Sequence, residues 1–142
     1  MPEFSKASKD KLATCEKDLQ TLFNTVIKYV DCTVVSAHRS PEEQYEKYKQ
    51  GRTKPGPIIT YLDGYQRMSN HNYDPSRAVD VAPWYPDKPH IRWDDEQGFH
   101  TFAVTVKAIA SLLKEFGVIE HDIAWGGDWV SWKDLPHWEI DD

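Results

Sequence analysis

Apolar residues recur at helical spacing from Leu12 through Leu19, Leu22, Phe23, Val26, Ile27 and Val30, which predicts one amphipathic helix over residues 8–30 with its stripe turned to a core. The β-branched run CTVVSA then predicts a short buried strand at 32–37. In S-P-E-E, Ser40 can cap, Pro41 suits the first helical position and Glu43 completes a capping box. A helix is therefore expected from residue 41 to Gln50, stopped at Gly51. Residues 52–70 keep no sustained period and read as a long loop, which in a compact domain is commonly a functional or mobile segment.

RAVDVA at 77–82 alternates like a half-buried strand, with Val79 and Val81 on one face and Asp80 on the other. A loop rich in Pro and Trp follows at 83–93. Asp94 or Asp95 can then cap a long helix, whose stripe runs from Phe99, Phe102, Ala103 and Val106 through Ile109, Ala110, Leu113 and Phe116 to Gly117. In the tail, IAWGGDW and LPHWEI are strand-like pieces joined by a turn. Pro136, Trp138 and Ile140 share one face of the second piece, and His137 and Glu139 share the other. Helices mixed with short strands, without strict alternation, predict an α+β fold: a small antiparallel sheet packed against two long helices and one short helix.

At 142 residues the chain is the size of one domain, taken as 1–142. Hydrophobic residues at 39% and charged residues at 28% place it among globular proteins and exclude a disordered chain. No run approaches the roughly eighteen apolar residues of a membrane span, so no membrane insertion is expected. MPEFSKASKDKLATC lacks the apolar stretch of a signal peptide, which implies synthesis in the cytosol. A net charge of −6 without any Lys/Arg block argues against nucleic acid as the main partner. Cys15 and Cys32 belong to no C-x-x-C pair and are expected as free thiols.

The histidines divide by context. His90, His100 and His121 have no acidic or histidine neighbour at ligand spacing and read as structural, and His38 at a strand end has at most a supporting role. His71 and Asp80 flank the entry to the 77–82 strand, where Asp80 interrupts the apolar alternation. A carboxylate leaving water needs a partner, and a cation is a natural one. His137 lies on the polar face of the last strand. Two imidazoles and a carboxylate leave the fourth zinc position open for water, the pattern of a catalytic rather than a structural Zn2+ site. Asp134, three residues before His137, is placed beside that position to take a proton. On spacing alone the alternative stays open that Asp80 pairs with an Arg and His137 packs.

S-x-H followed by A-V-D, then W-G-G-D-W and D-x-P-H-W-E, resembles the zinc D-Ala-D-Ala carboxypeptidase and dipeptidase family over about residues 32–140, with its strongest likeness to phage endolysins that are L-alanyl-D-glutamate endopeptidases. The resemblance implies Zn2+ held by His71, Asp80 and His137, a general base at Asp134, and Arg39 placed to stabilise an oxyanion or grip a substrate carboxylate. The alternative for Arg39 is a surface salt bridge with Glu42 or Glu43. Ser69 and Gln44 match family positions that contact substrate. The implied partner is the peptidoglycan stem peptide, cleaved between L-Ala and D-Glu by a monomer that accumulates in the host cytoplasm and reaches the wall once the inner membrane is permeabilised. A D-Ala-D-Ala carboxypeptidase or dipeptidase and a non-catalytic zinc-binding module are the rival readings. The family carries fewer residues than N-Y-D-P-S-R between His71 and the A-V-D, so the loop at 72–77 is read as an insertion, with Asp74 as an alternative ligand.

Overall fold

A computed structural model describes residues 2–142 of the chain. It opens with helices α1 (Lys6–Leu12) and α2 (Lys17–Val26), where the apolar stripe predicts a single helix over 8–30. The break has a non-local cause. The Glu16 N–H donates to the Ser76 carbonyl at 2.8 Å and the Ser76 N–H to the Thr14 carbonyl at 2.9 Å, so residues 14–16 leave the helical ladder to pair with a segment far along the chain. Leu12, Cys15, Leu19, Leu22 and Val26 are all buried nevertheless, which is why the stripe runs unbroken through the interruption.

Strand β1 (Cys32–Ser36), helix α3 (Pro41–Lys49), strand β2 (Ala78–Pro83), helix α4 (Glu96–Glu115) and strands β3 (Asp122–Trp125) and β4 (His137–Asp141) follow. Both halves of the capping box form at α3: Ser40 Oγ accepts from the Glu43 N–H, and the Glu43 carboxylate accepts from the Ser40 N–H. Asp95, not Asp94, caps α4. Phe116, expected on the α4 stripe, is exposed because it is the C-terminal cap and turns off the helix. Thus one long helix and shorter ones, rather than two long and one short, surround the sheet. The tail strands are joined by residues 126–136, with a 3₁₀ turn at Gly126–Asp128, and Pro136 precedes β4 instead of lying on it.

The sheet is antiparallel with order β1-β2-β4-β3, so strands distant in sequence form its centre. Val79 and Val81 of β2 and Trp138 and Ile140 of β4 pack with Leu19 and Phe23 of α2 and with Phe102 and Val106 of α4. Removing each such side chain from water contributes about 1.5–3 kcal/mol. The alternate positions, Asp80, His137 and Glu139, point off the other side of the sheet, and Asp80 is directly opposite His137 in the ladder. Cys15 and Cys32 are free and buried, and burial pushes each thiol up to about 12. Among the described residues no helix is long and apolar enough to cross a membrane.

Candidate active site

The β2–β4 ladder brings Asp80 beside His137, and a capped 3₁₀ turn at Asn70–Asn72 brings His71 to the same point. Ser69 caps that turn: its Oγ accepts from the His71 N–H at 3.2 Å, while its own N–H donates to Asn72 Oδ1 at 2.8 Å. The turn is tied to the end of β1, because the Arg39 N–H donates to the His71 carbonyl at 2.8 Å and His71 Nδ1–H donates to the Ala37 carbonyl at 2.7 Å. His71 Nε2 is left facing Asp80 Oδ1 at 3.4 Å. His137 is oriented in the opposite sense: Nε2–H donates to Glu139 Oε1 at 2.6 Å, and Nδ1 faces Asp80 Oδ1 at 3.2 Å.

With His71 Nδ1 and His137 Nε2 committed elsewhere, the nitrogens that meet at Asp80 both present lone pairs, and a proton or a cation must lie between these acceptors. The donor atoms of His71, Asp80 and His137 all lie within 4.8 Å of one another. Imidazole nitrogens and one carboxylate suit zinc, and the hydrogen bonds to Ala37 and Glu139 are of the kind that fix a ligand's tautomer and ring angle. The residues therefore fit the metal. Asp74, the alternative, is exposed and outside this group.

The electrostatics agree with a site built for a cation. Burial alone would raise Asp80, but hydrogen bonds from His137 and His71 outweigh it and hold the carboxyl well below the ordinary range. Burial would likewise lower His137, yet the Asp80 and Glu139 carboxylates push it up to about 9. Asp134 is displaced upward, first by burial and then by the Asp80 charge. Its Oδ2 is 3.9 Å from His137 Nδ1. Gly126 makes this placement possible: a Cβ there would lie 2.3 Å from the Asp134 carbonyl, and the Asp134 N–H donates to the Gly126 carbonyl at 3.1 Å. The W-G-G-D-W motif thus seats the backbone of the residue that faces His137.

Arg39 is no surface residue. Its side chain is 12% exposed, with Nη2 4.0 Å from Asp80 Oδ2 and 3.2 Å from Ser36 Oγ, and Nη1 donates to Gln44 Oε1 at 2.7 Å. Gln44 in turn donates to the Leu62 carbonyl at 2.8 Å, joining Arg39 to the 52–70 loop. Ser69 and Gln44 both line the cleft, with their polar groups engaged within the protein.

The cleft around these groups encloses about 450 Å³. Its walls include aromatics that sequence reasoning did not single out. Trp129 lies 5.1 Å from the His137 ring, and Tyr61 meets Trp132 edge-on at 4.7 Å, with Trp132 held at φ 52°. All three come from irregular segments, where no periodicity marks a side chain's direction. Three of the other histidines are engaged away from this group: His90 Nδ1 bonds the Tyr85 carbonyl, His100 meets the Trp125 ring edge-on, and His121 pairs with Asp18. Asp18 Oδ2 also accepts the Glu120 and His121 N–H groups, so the nearby Glu16, Asp18 and His121 form a structural brace.

The family described as phage L-alanyl-D-glutamate peptidase matches residues 2–141. The peptidoglycan L-alanyl-D-glutamate endopeptidase CwlK of Bacillus subtilis is 39% identical over 114 residues, which cover 80% of this chain and 62% of that protein. The chain therefore spans less than two thirds of that relative's length. Among solved structures, the L-Ala D-Glu endopeptidase ChiX of Serratia marcescens superposes with a TM-score of 0.66 at 22% identity, covering 98% of this chain and 90% of that one. At that identity the likeness establishes the α+β fold.

Proposed function

The chain belongs to the phage L-alanyl-D-glutamate peptidase family, and from that premise we propose that it is a zinc-dependent endopeptidase hydrolysing the bond between L-Ala and D-Glu in the peptidoglycan stem peptide. The observation that carries this reading is the convergence of His71 Nε2, Asp80 Oδ1 and His137 Nδ1 in a cleft that also holds Asp134 and Arg39. His71, Asp80 and His137 would hold zinc, which supplies Lewis acidity toward the scissile carbonyl and lowers the pKa of water. The Asp134 carboxylate takes the proton of the attacking water and passes it to the D-Glu nitrogen as the C–N bond breaks, so the fragments leave as a carboxylic acid and an amine. Arg39 donors not engaged by Gln44 and Ser36 hold the carbonyl oxygen as negative charge builds on it. Glu139 keeps the His137 ring in the tautomer that turns Nδ1 to the cleft.

Arg39→Ala should keep zinc bound and lower turnover by about 100- to 1,000-fold, the loss expected for one oxyanion donor. Arg39→Lys should restore only part of this, because a point charge lacks the guanidinium fork. Steady-state rates with metal analysis check both, and normal turnover in each would leave Arg39 a purely structural residue.

The scissile bond is tested by digesting purified peptidoglycan with the zinc-loaded chain and identifying the fragments by mass spectrometry. New N-terminal D-Glu is expected. Release of terminal D-Ala would instead make the chain a carboxypeptidase, and no cleavage with zinc bound would make it a binding module. The phage association of the family supports a role in host lysis as a monomeric endolysin. It would accumulate in the host cytoplasm, act on the wall once the inner membrane is permeabilised, and have antimicrobial use.

A further inference from the structure

A substrate carrying D-Glu brings a carboxylate to the cleft beyond its peptide bonds, since this residue continues the stem through its γ-carboxyl and leaves the α-carboxyl free. The cleft presents the carboxylates of Asp80, Asp134 and Glu139, of which Asp80 would face the metal, so a cationic side chain on the substrate's side would favour an acidic residue there. Arg39 is held at the reacting centre by Gln44 and Ser36 and faces Asp80. The other cationic side chain lining the cleft is Lys47. Lys47 and Gln44 are three residues apart on α3 and share one helix face, with Lys47 about 4.5 Å further along the axis from the Arg39–Gln44 contact.

The exposed side chain of Lys47 has no ion-pair or hydrogen-bond partner among the described residues, and its neighbours explain why. Glu46 is engaged by both Lys49 and Lys54 on the outer face of α3. Glu43, one turn earlier, has its carboxylate in the capping box with the Ser40 N–H. Glu43, the acid within helical reach, is thus engaged at Ser40, and Lys47 lines the cleft with its ammonium unpaired.

We propose that Lys47 forms the subsite for the free α-carboxylate of the D-Glu residue and makes the enzyme prefer that carboxylate over its amide. The inference rests on the endopeptidase reading above and adds the determinant of selectivity. Lysine's rotatable donors on a flexible stem suit a carboxylate whose position varies along a polymer, where a fixed fork would not. The pair would be partly exposed, so its effect falls as salt rises.

The test compares two synthetic stem peptides, identical except that the D-Glu α-carboxyl is free in one and amidated in the other. Wild-type chain should show kcat/KM about two- to fivefold higher on the acid, as a single partly exposed ion pair would give. Lys47→Gln should bring the ratio close to one by slowing cleavage of the acid, and Lys47→Glu should reverse it in favour of the amide, an inversion that a merely structural residue would not produce. A wild-type ratio of one, or an unchanged ratio in both variants, overturns the subsite while leaving the endopeptidase reading intact. A zinc-loaded wild-type chain that cleaves neither peptide overturns the endopeptidase reading and the subsite with it.

Discussion

Asp134→Asn is expected to lower hydrolysis of purified peptidoglycan by about 100- to 10,000-fold while zinc stays bound and the fold survives. The substitution preserves size and shape and removes only the proton acceptor. The backbone contacts that seat residue 134 against Gly126 do not involve the side chain and should persist. Metal analysis, circular dichroism and a turbidity assay separate the outcomes. Loss of zinc in this variant would make Asp134 a ligand, and full activity would remove it from the mechanism. The prediction has weight because Asp134 lies outside the tight group of donor atoms yet faces it, with Oδ2 3.9 Å from His137 Nδ1.

Replacing a member of that group should have a still larger effect. Zinc is expected at about one equivalent per wild-type chain, as for a single three-ligand site. His71→Ala, Asp80→Ala and His137→Ala should each fall to near none and lose measurable activity. The fold should remain, since the core around Val79, Val81, Trp138 and Ile140 is on the opposite side of the sheet. Asp80→Ala is the most informative of the three. Both imidazoles face its Oδ1, so its removal takes away the counter-charge that raises His137. Full activity in all three variants would refute the ligand assignment.

Two of the three proposed ligands, Asp80 and His137, were legible because they break a local pattern. Asp80 interrupts an apolar alternation and His137 lies opposite Trp138 in another, so strand periodicity alone turned both off the core. His71 was legible only through its neighbourhood with Ser69 and through family likeness, since the 3₁₀ turn that aims it is set by contacts to Ala37 and Arg39 in a separate strand end. The capping box of α3 was fully local and formed as read. The split between α1 and α2 was not readable: Cys15 continues the apolar stripe, and the interruption arises from Ser76, remote in sequence. Tyr61 and Trp132 escaped for a related reason, because irregular backbone gives a side chain no period to announce its direction, and Trp129, though part of W-G-G-D-W, carried no role there. Lys47 was hidden by its ordinary place on a charged helix, and only the engagement of Glu43 and Glu46 elsewhere distinguishes it.

The loop at 72–77 after His71 is closed at its base. The Arg77 N–H donates to the Asn70 carbonyl at 3.0 Å, and Ser76 is tied to Thr14 and Glu16 in the break between α1 and α2. Tyr73, Asp74 and Pro75 form an exposed tip between these anchors. Since added length costs a closed loop only logarithmically, the tip is a natural attachment point for a fluorophore, an affinity tag or a targeting peptide. A label placed there would leave the strands to keep their register, giving the protein engineer a handle held at both ends by backbone hydrogen bonds.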